Sequence, residues 1–210
     1  MEIPCHRATF SYPMSKVYLF HGAGAGHNSV FLKEFRTQLI SNLASLEEHD
    51  VLPFSLQYMV EMDQGGKRRP PPNINRLIEE ARLSIDPSEP IILIGKSMGS
   101  RIIAELCETH NVKACVALGY PFYPPKKPEK DRLSHLIKAK SVPFLIVQGT
   151  RDSLGNQEWV EQQKLPSNVS LHWIEGADHD FKVLKRYNVN DDEVMARIVE
   201  LATSFIKPYL

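Results

Sequence analysis

The chain has 210 residues, 42% of them hydrophobic, which suits one continuous globular core and excludes a disordered or fibrous polypeptide. Lys plus Arg and Asp plus Glu are both 25, so no net field draws in nucleic acid or an anionic membrane. The one basic cluster, Lys67-Arg68-Arg69 ahead of Pro70-Pro71-Pro72, reads as a solvated loop.

Compartment follows from similar arithmetic. No stretch approaches the roughly 18 uninterrupted apolar residues of a spanning helix, and Met1 to Pro13 lacks the apolar run of a signal peptide. Cys5, Cys107 and Cys115 are odd in number and without CxxC spacing, the usage of a reducing environment. A single domain over 1–210 in the cytoplasm is expected, with no nucleic-acid or membrane partner; composition fixes no oligomeric state.

Along the chain, short apolar runs recur at Val17–Phe20, Val51–Leu56, Ile91–Ile94, Ala114–Leu118, Pro143–Val147 and Val169–Ile174. They are continuous rather than alternating, the pattern of strands covered on both faces. Between them, Phe31, Phe35, Leu39 and Leu43 recur at helical spacing, as do Ile102, Ile103 and Leu106, and later Val194, Ile198, Leu201 and Phe205. Six strand-helix units predict an α/β chain with a mostly parallel sheet between helical layers, a three-layer sandwich. Met59 to Asn73 and Gly119 to Glu129, rich in Gly, Pro and Asn, are expected to be irregular loops at the strand ends, where such folds bind ligands.

Four segments carry chemistry. After the first strand comes His21-Gly22-Ala23-Gly24-Ala25-Gly26-His27. A dinucleotide fingerprint would need Gly at position 27, so the glycines Gly22 and Gly24 are read as structural, letting backbone approach a reacting oxygen with the Ala23 N–H, rather than that of Gly24, as donor. After the third strand comes Gly95-Lys96-Ser97-Met98-Gly99. A nucleophile on so tight a strand-to-helix turn needs small residues two places either side, which Gly95 and Gly99 supply, and the Met98 N–H opens the helix as a second oxyanion donor. A phosphate-binding loop fails here, since position 91 is Ile where Gly is required.

A serine nucleophile needs a base and the base an orienting acid. Asp152 stands just beyond the fifth strand and His179 just beyond the sixth, giving the chain order Ser97, Asp152, His179. Asp178 and Asp180 are too close in sequence to His179 to reach its Nδ1 easily while Nε2 faces Ser97. A metal site at Asp178, His179 and Asp180 lacks a second ligand cluster, so no metal and no cofactor is expected. His21 and His27 read as loop histidines hydrogen-bonded to backbone, and His172 as a strand residue beside Trp173.

The words Gly95 to Arg101, Gly119-Tyr120-Pro121-Phe122, Phe144 to Asp152 and Leu171 to His179 resemble the α/β-hydrolase superfamily. Within it, they resemble a small group that includes testis-expressed protein 30, with dienelactone hydrolases as more distant relatives. The resemblance implies a compact α/β-hydrolase domain with Ser97, Asp152 and His179 as nucleophile, acid and base. It also implies a truncated N-terminal hairpin, since about fifteen residues precede Val17, and no lid domain, since no long insertion lies between Leu118 and Pro143. The expected activity is cleavage of a small-molecule acyl substrate, an ester or thioester, in an open, shallow pocket walled by Tyr58, Met59, Tyr120 and Phe122. Lys96 and Arg101 lie near the elbow, and a carboxylate-bearing substrate is expected if either cation faces the cleft. The alternative is a catalytically idle scaffold that binds a partner.

Overall fold

A computed structural model describes residues 15–44, 50–65 and 67–210. Its six strands are β1 (Lys16–Phe20), β2 (Val51–Phe54), β3 (Ile91–Lys96), β4 (Val112–Leu118), β5 (Phe144–Gly149) and β6 (Val169–Ile174). All pair in parallel, in the order β2-β1-β3-β4-β5-β6. The expected truncated hairpin, like Cys5, falls outside the described residues.

The helices are α1 (Val30–Leu43), α2 (Gln57–Asp63), α3 (Ile74–Ser84), α4 (Met98–Leu106), α5 (Leu133–Lys138), α6 (Gln157–Val160) and α7 (Asp191–Ile206). Side chains alternate across a strand, so β3 sends Ile91 and Leu93 into one core layer and Ile92 and Ile94 into the other. The first layer is closed by α3, α4 and α5, the second by α1 and α7. This is the three-layer α/β sandwich the apolar runs predict, and the runs are continuous because both faces of the inner strands are buried.

One expectation changes. Met59 to Asn73 is not irregular throughout, because Gln57–Asp63 forms α2, which buries Tyr58 and Met59; Gly65 then stops it at a positive φ of 98°. Gly119 to Glu129 is a loop, as expected. Between β4 and β5 the only helix is the six-residue α5, so no lid is inserted there. Cys107 and Cys115 are free thiols with their Sγ atoms 3.5 Å apart, Cys115 being buried in the core. Among the described residues no helix is long and apolar enough to cross a membrane.

The strand order locates the site. From β1 the chain steps outward to β2 and then returns to lay β3 on the other side of β1. The loops that follow β1 and β3 therefore lead to helices on opposite faces, α1 and α4, and a crevice opens between them at the strands' carboxyl ends.

One wall of that crevice depends on the start of α7. There the Asn190 side chain accepts from the Glu193 N–H at 2.8 Å, while the Glu193 carboxylate accepts from the Asn190 N–H at 3.0 Å, a reciprocal cap that satisfies two orphan donors. Asn190→Ala is expected to cost about 1 kcal/mol, lowering the thermal midpoint by about 2–4 °C in scanning calorimetry.

Candidate active site

Ser97 caps α4 at φ 52° and ψ −114°, a left-handed turn that is strained for any residue with a side chain. The surroundings enforce it. A methyl on Gly95 would lie 2.5 Å from the Ser100 nitrogen, and one on Gly99 would lie 2.7 Å from the His21 carbonyl oxygen. Strand, turn and helix thus touch backbone to backbone, and the hydroxyl of Ser97 is left facing the crevice.

Two other strand ends supply its partners. The Ser97 hydroxyl donates to His179 Nε2 at 2.8 Å, and His179 Nδ1–H donates to Asp152 Oδ2 at 2.8 Å. The tautomer follows from the partners: a carboxylate only accepts, so the ring proton sits on Nδ1 and Nε2 is left with its lone pair. Asp152 is fully buried. Gln148 Nε2 donates to the same oxygen at 2.8 Å, and the Leu154 N–H donates to Oδ1 at 2.7 Å, so the carboxylate is held by three N–H groups as burial requires. The same Gln148 amide reaches the carbonyls of Tyr120 and Gly155, each at 3.1 Å, fixing the acid loop to the loop after β4.

The base loop is just as constrained. Asp178 Oδ1 accepts from the Asp180 and Lys182 N–H groups, each at 2.9 Å, so Asp178 builds the turn and Asp152 orients the imidazole. Lys96 is buried, and its ammonium donates to the His179 carbonyl at 2.7 Å, tying the residue before Ser97 to the backbone of His179. The ammonium also lies 5.7 Å from the Phe31 ring centre and 5.5 Å from that of Phe181, a favourable cation–π setting. Burial lowers its pKa, opposed by the carboxylates of Asp180, Asp152 and Asp178. Arg101 points elsewhere, its guanidinium 3.1 Å from His135 Nε2.

The glycine loop after β1 passes over Ser97. A methyl on Gly22 would meet Ser97 Cβ at an ordinary 3.6 Å, and one on Gly24 would meet nothing within 4 Å. These two glycines are therefore not sterically obligatory, unlike Gly95 and Gly99. The loop is braced from below. His21 Nε2 accepts from the Leu56 N–H at 3.1 Å, and its Nδ1–H donates to the Gly22 carbonyl at 2.7 Å. Tyr58 donates to the Ala23 carbonyl at 3.0 Å; burial pushes this phenol up to about 12, so it remains a donor. The loop thus approaches Ser97 at Gly22, while Met98 follows it as the first residue of α4.

The expected pocket wall is not where the structure puts it. Tyr58, Met59, Tyr120 and Phe122 are core residues, since α2 turns its first pair inward and Tyr120 anchors its loop by donating to the Arg132 carbonyl at 2.9 Å. The cavity beside Ser97, of about 730 Å³, opens on the opposite face of the sheet, between the glycine loop, the start of α1, residues 179–182 and the start of α7. In its lining Phe181, at φ 60°, stacks on Phe31 with ring centres 5.6 Å apart. Among the supporting residues, Gln148 and the latching role of Lys96 carry no signal at the level of local pattern.

Comparison with known proteins agrees with this architecture. A family model described as "Alpha/beta hydrolase domain" matches residues 13–207. Among solved structures, a dienelactone hydrolase from Anabaena variabilis is 18% identical, with 95% of this chain and 88% of that one covered and a TM-score of 0.61. An esterase from Pyrococcus furiosus is 19% identical over 93% of this chain and 82% of that one, TM-score 0.62. The esterase domain of a Rhodothermus marinus protein is 14% identical over 96% and 90%, TM-score 0.57. At these identities the likeness speaks for the fold.

Two outcomes follow from the local geometry. Gly95→Ala, which forces backbone apart, is expected to lower the unfolding free energy by at least about 2 kcal/mol, whereas Gly24→Ala stays within about 0.5 kcal/mol; urea titration measures both. Burial lowers His21 to about 4, against about 6.5 in the unfolded chain. Its neutral form is the one that folds, so no cost arises above pH ~6.5, and stability is lost as pH falls toward ~4 and only the unfolded imidazole takes up a proton, up to about 3 kcal/mol in all. The stability difference between wild type and His21→Gln should therefore shrink across that window; a difference independent of pH would contradict the buried neutral imidazole.

Proposed function

The chain belongs to the alpha/beta hydrolase domain family, and from that membership and the line Ser97–His179–Asp152 we propose that it is a serine hydrolase cleaving a small ester or thioester. The observation that carries this reading is the 2.8 Å hydrogen bond from the Ser97 hydroxyl to His179 Nε2, with the other ring nitrogen committed to a buried carboxylate. A serine hydroxyl is a weak nucleophile until a base with a free lone pair takes its proton, and this geometry supplies one.

In the proposed reaction, His179 Nε2 takes the hydroxyl proton as Ser97 Oγ attacks the substrate carbonyl. The oxygen that becomes negative is received by the Ala23 and Met98 N–H groups, the latter a free first-turn donor of α4. The imidazolium, its tautomer and orientation held by Asp152, passes the proton to the departing alcohol or thiol. Water then enters, His179 removes its proton, the acyl bond to Ser97 breaks, and the carboxylic acid leaves with the serine restored. Lys96, bonded to the His179 carbonyl, holds the base in register through both halves.

The reading takes the chain as one domain that acts without a cofactor. Its likeness to the group including testis-expressed protein 30 rests on the sequence words, and the free thiols of Cys107 and Cys115 support a reducing, cytoplasmic setting. The test is hydrolysis of activated acyl esters and thioesters. Ser97→Ala is expected to lose about 10⁴-fold or more in kcat and Asp152→Asn a comparable factor, with the Ser97→Ala thermal midpoint unchanged. Turnover by Ser97→Ala at the wild-type rate would overturn the proposal, and absence of any acyl hydrolysis or serine labelling in the wild-type protein would leave the idle scaffold as the reading.

A further inference from the structure

The cavity beside Ser97 is lined by both apolar and charged side chains. Its inner surface is apolar, formed by Phe31 and Leu32 of α1 and by Val194, Met195 and Ile198 of α7. At the rim Val30 is 86% exposed, a large aliphatic side chain left in water where a bound chain would cover it. Ser29, the polar side chain nearest in sequence, is engaged as the cap of α1, accepting from the Leu32 N–H. At about 730 Å³ the space lies within the usual range of small-molecule sites and far exceeds what an acetyl group fills.

The charged residues of the lining do not balance. They are Glu34, Asp180, Asp191 and Asp192 against Lys96 and Lys182. Lys182 is paired with Asp191. The Lys96 ammonium is bonded to the His179 carbonyl, lies between two phenyl rings, and has Asp180 at 3.9 Å. Among the described residues neither Glu34, which accepts from the Gln38 side-chain amide at 2.7 Å, nor Asp192 forms an ion pair, so carboxylates outnumber ammonium groups in the lining that an anionic chain must approach.

Resting on the proposed serine hydrolase activity, we infer that this cavity binds an uncharged apolar chain of the substrate and turns away a chain that ends in a carboxylate. A cation near the nucleophile would by itself suggest the reverse, but this one is already occupied. The chain belongs either to the acyl group or to the departing alcohol, and two series of substrates separate these sources.

The experiment measures kcat/KM for p-nitrophenyl esters from acetate to decanoate, and in parallel for acetate thioesters of thiols of increasing chain length. Burial of a methylene group is expected to raise kcat/KM by about fourfold per added carbon, in the series whose chain enters the cavity, until it is filled. Met195→Trp, which reduces the space, shifts the optimum to shorter chains. A p-nitrophenyl hexanoate bearing a terminal carboxylate is expected to be at least about tenfold poorer than hexanoate itself. Ser97-dependent hydrolysis that is flat or falling with length in both series, or faster with the carboxylate, would overturn the inference and leave the hydrolase reading intact. Hydrolysis that does not depend on Ser97 in either series would overturn both.

Discussion

The arrangement depends on a steric constraint at the turn after β3. Gly95 and Gly99 bring strand and helix so close that no methyl group fits between them, and Ser97 between them is driven into a left-handed conformation. That strain is sustained because β3 and α4 are each buried and packed on neighbours that cannot retreat. The same turn projects the hydroxyl out of the sheet and points the first N–H groups of α4 beside it. The proposed nucleophile and the proposed oxyanion donor at Met98 would therefore be products of a single backbone event.

Everything else at the site is oriented toward that turn from other strand ends. The loop after β1 is pinned by His21 and Tyr58, the loop after β5 by Gln148, and the loop after β6 by Asp178 from within and Lys96 from below. The pins of His21, Tyr58, Gln148 and Lys96 are hydrogen bonds of buried side chains, whose polar atoms must find partners within the protein, while Asp178 is half-buried and holds its own turn. The order of the strands makes the convergence possible, because the crevice opens where the chain reverses its direction of travel across the sheet. Strand ends and the loops that leave them thus bring together groups from residues 21 to 179.

Much of this was legible in the sequence, for reasons that can be named. The inner strands β1, β3, β4 and β5, largely buried on both faces, appear as unbroken apolar runs, and the edge strands β2 and β6 as shorter or interrupted ones, so the six are locatable with ends displaced by no more than two residues. The Gly95–Gly99 spacing signals its own steric requirement, and Asp152 and His179 follow strand ends at the places the turn would need. Gly22 and Gly24 read as equally obligatory, yet open space surrounds Gly24; composition cannot distinguish a glycine required by contact from one that is merely present. Aromatic residues near a strand end suggest a pocket wall whether they face a cleft or, like Tyr120 and Phe122, the core, so the sequence does not reveal that the cavity opens on the other face of the sheet. Helix α2 was obscured by the glycines and prolines that follow it. Lys96 reaches His179 across 83 residues and Gln148 reaches Tyr120 across 28, separations that local pattern does not record, although Gln148 also bonds Asp152 and Gly155 four and seven residues on.

The central claim is that burial, tautomer and turn geometry together make the Ser97 hydroxyl an activated nucleophile. The most direct measurement is reaction with a fluorophosphonate, followed by mass spectrometry of the intact chain and its peptides. The account predicts one adduct per chain, located on Ser97, formed much more slowly in Asp152→Asn and absent in Ser97→Ala. An inert Ser97, or a label that persists elsewhere when Ser97 is replaced, would contradict it.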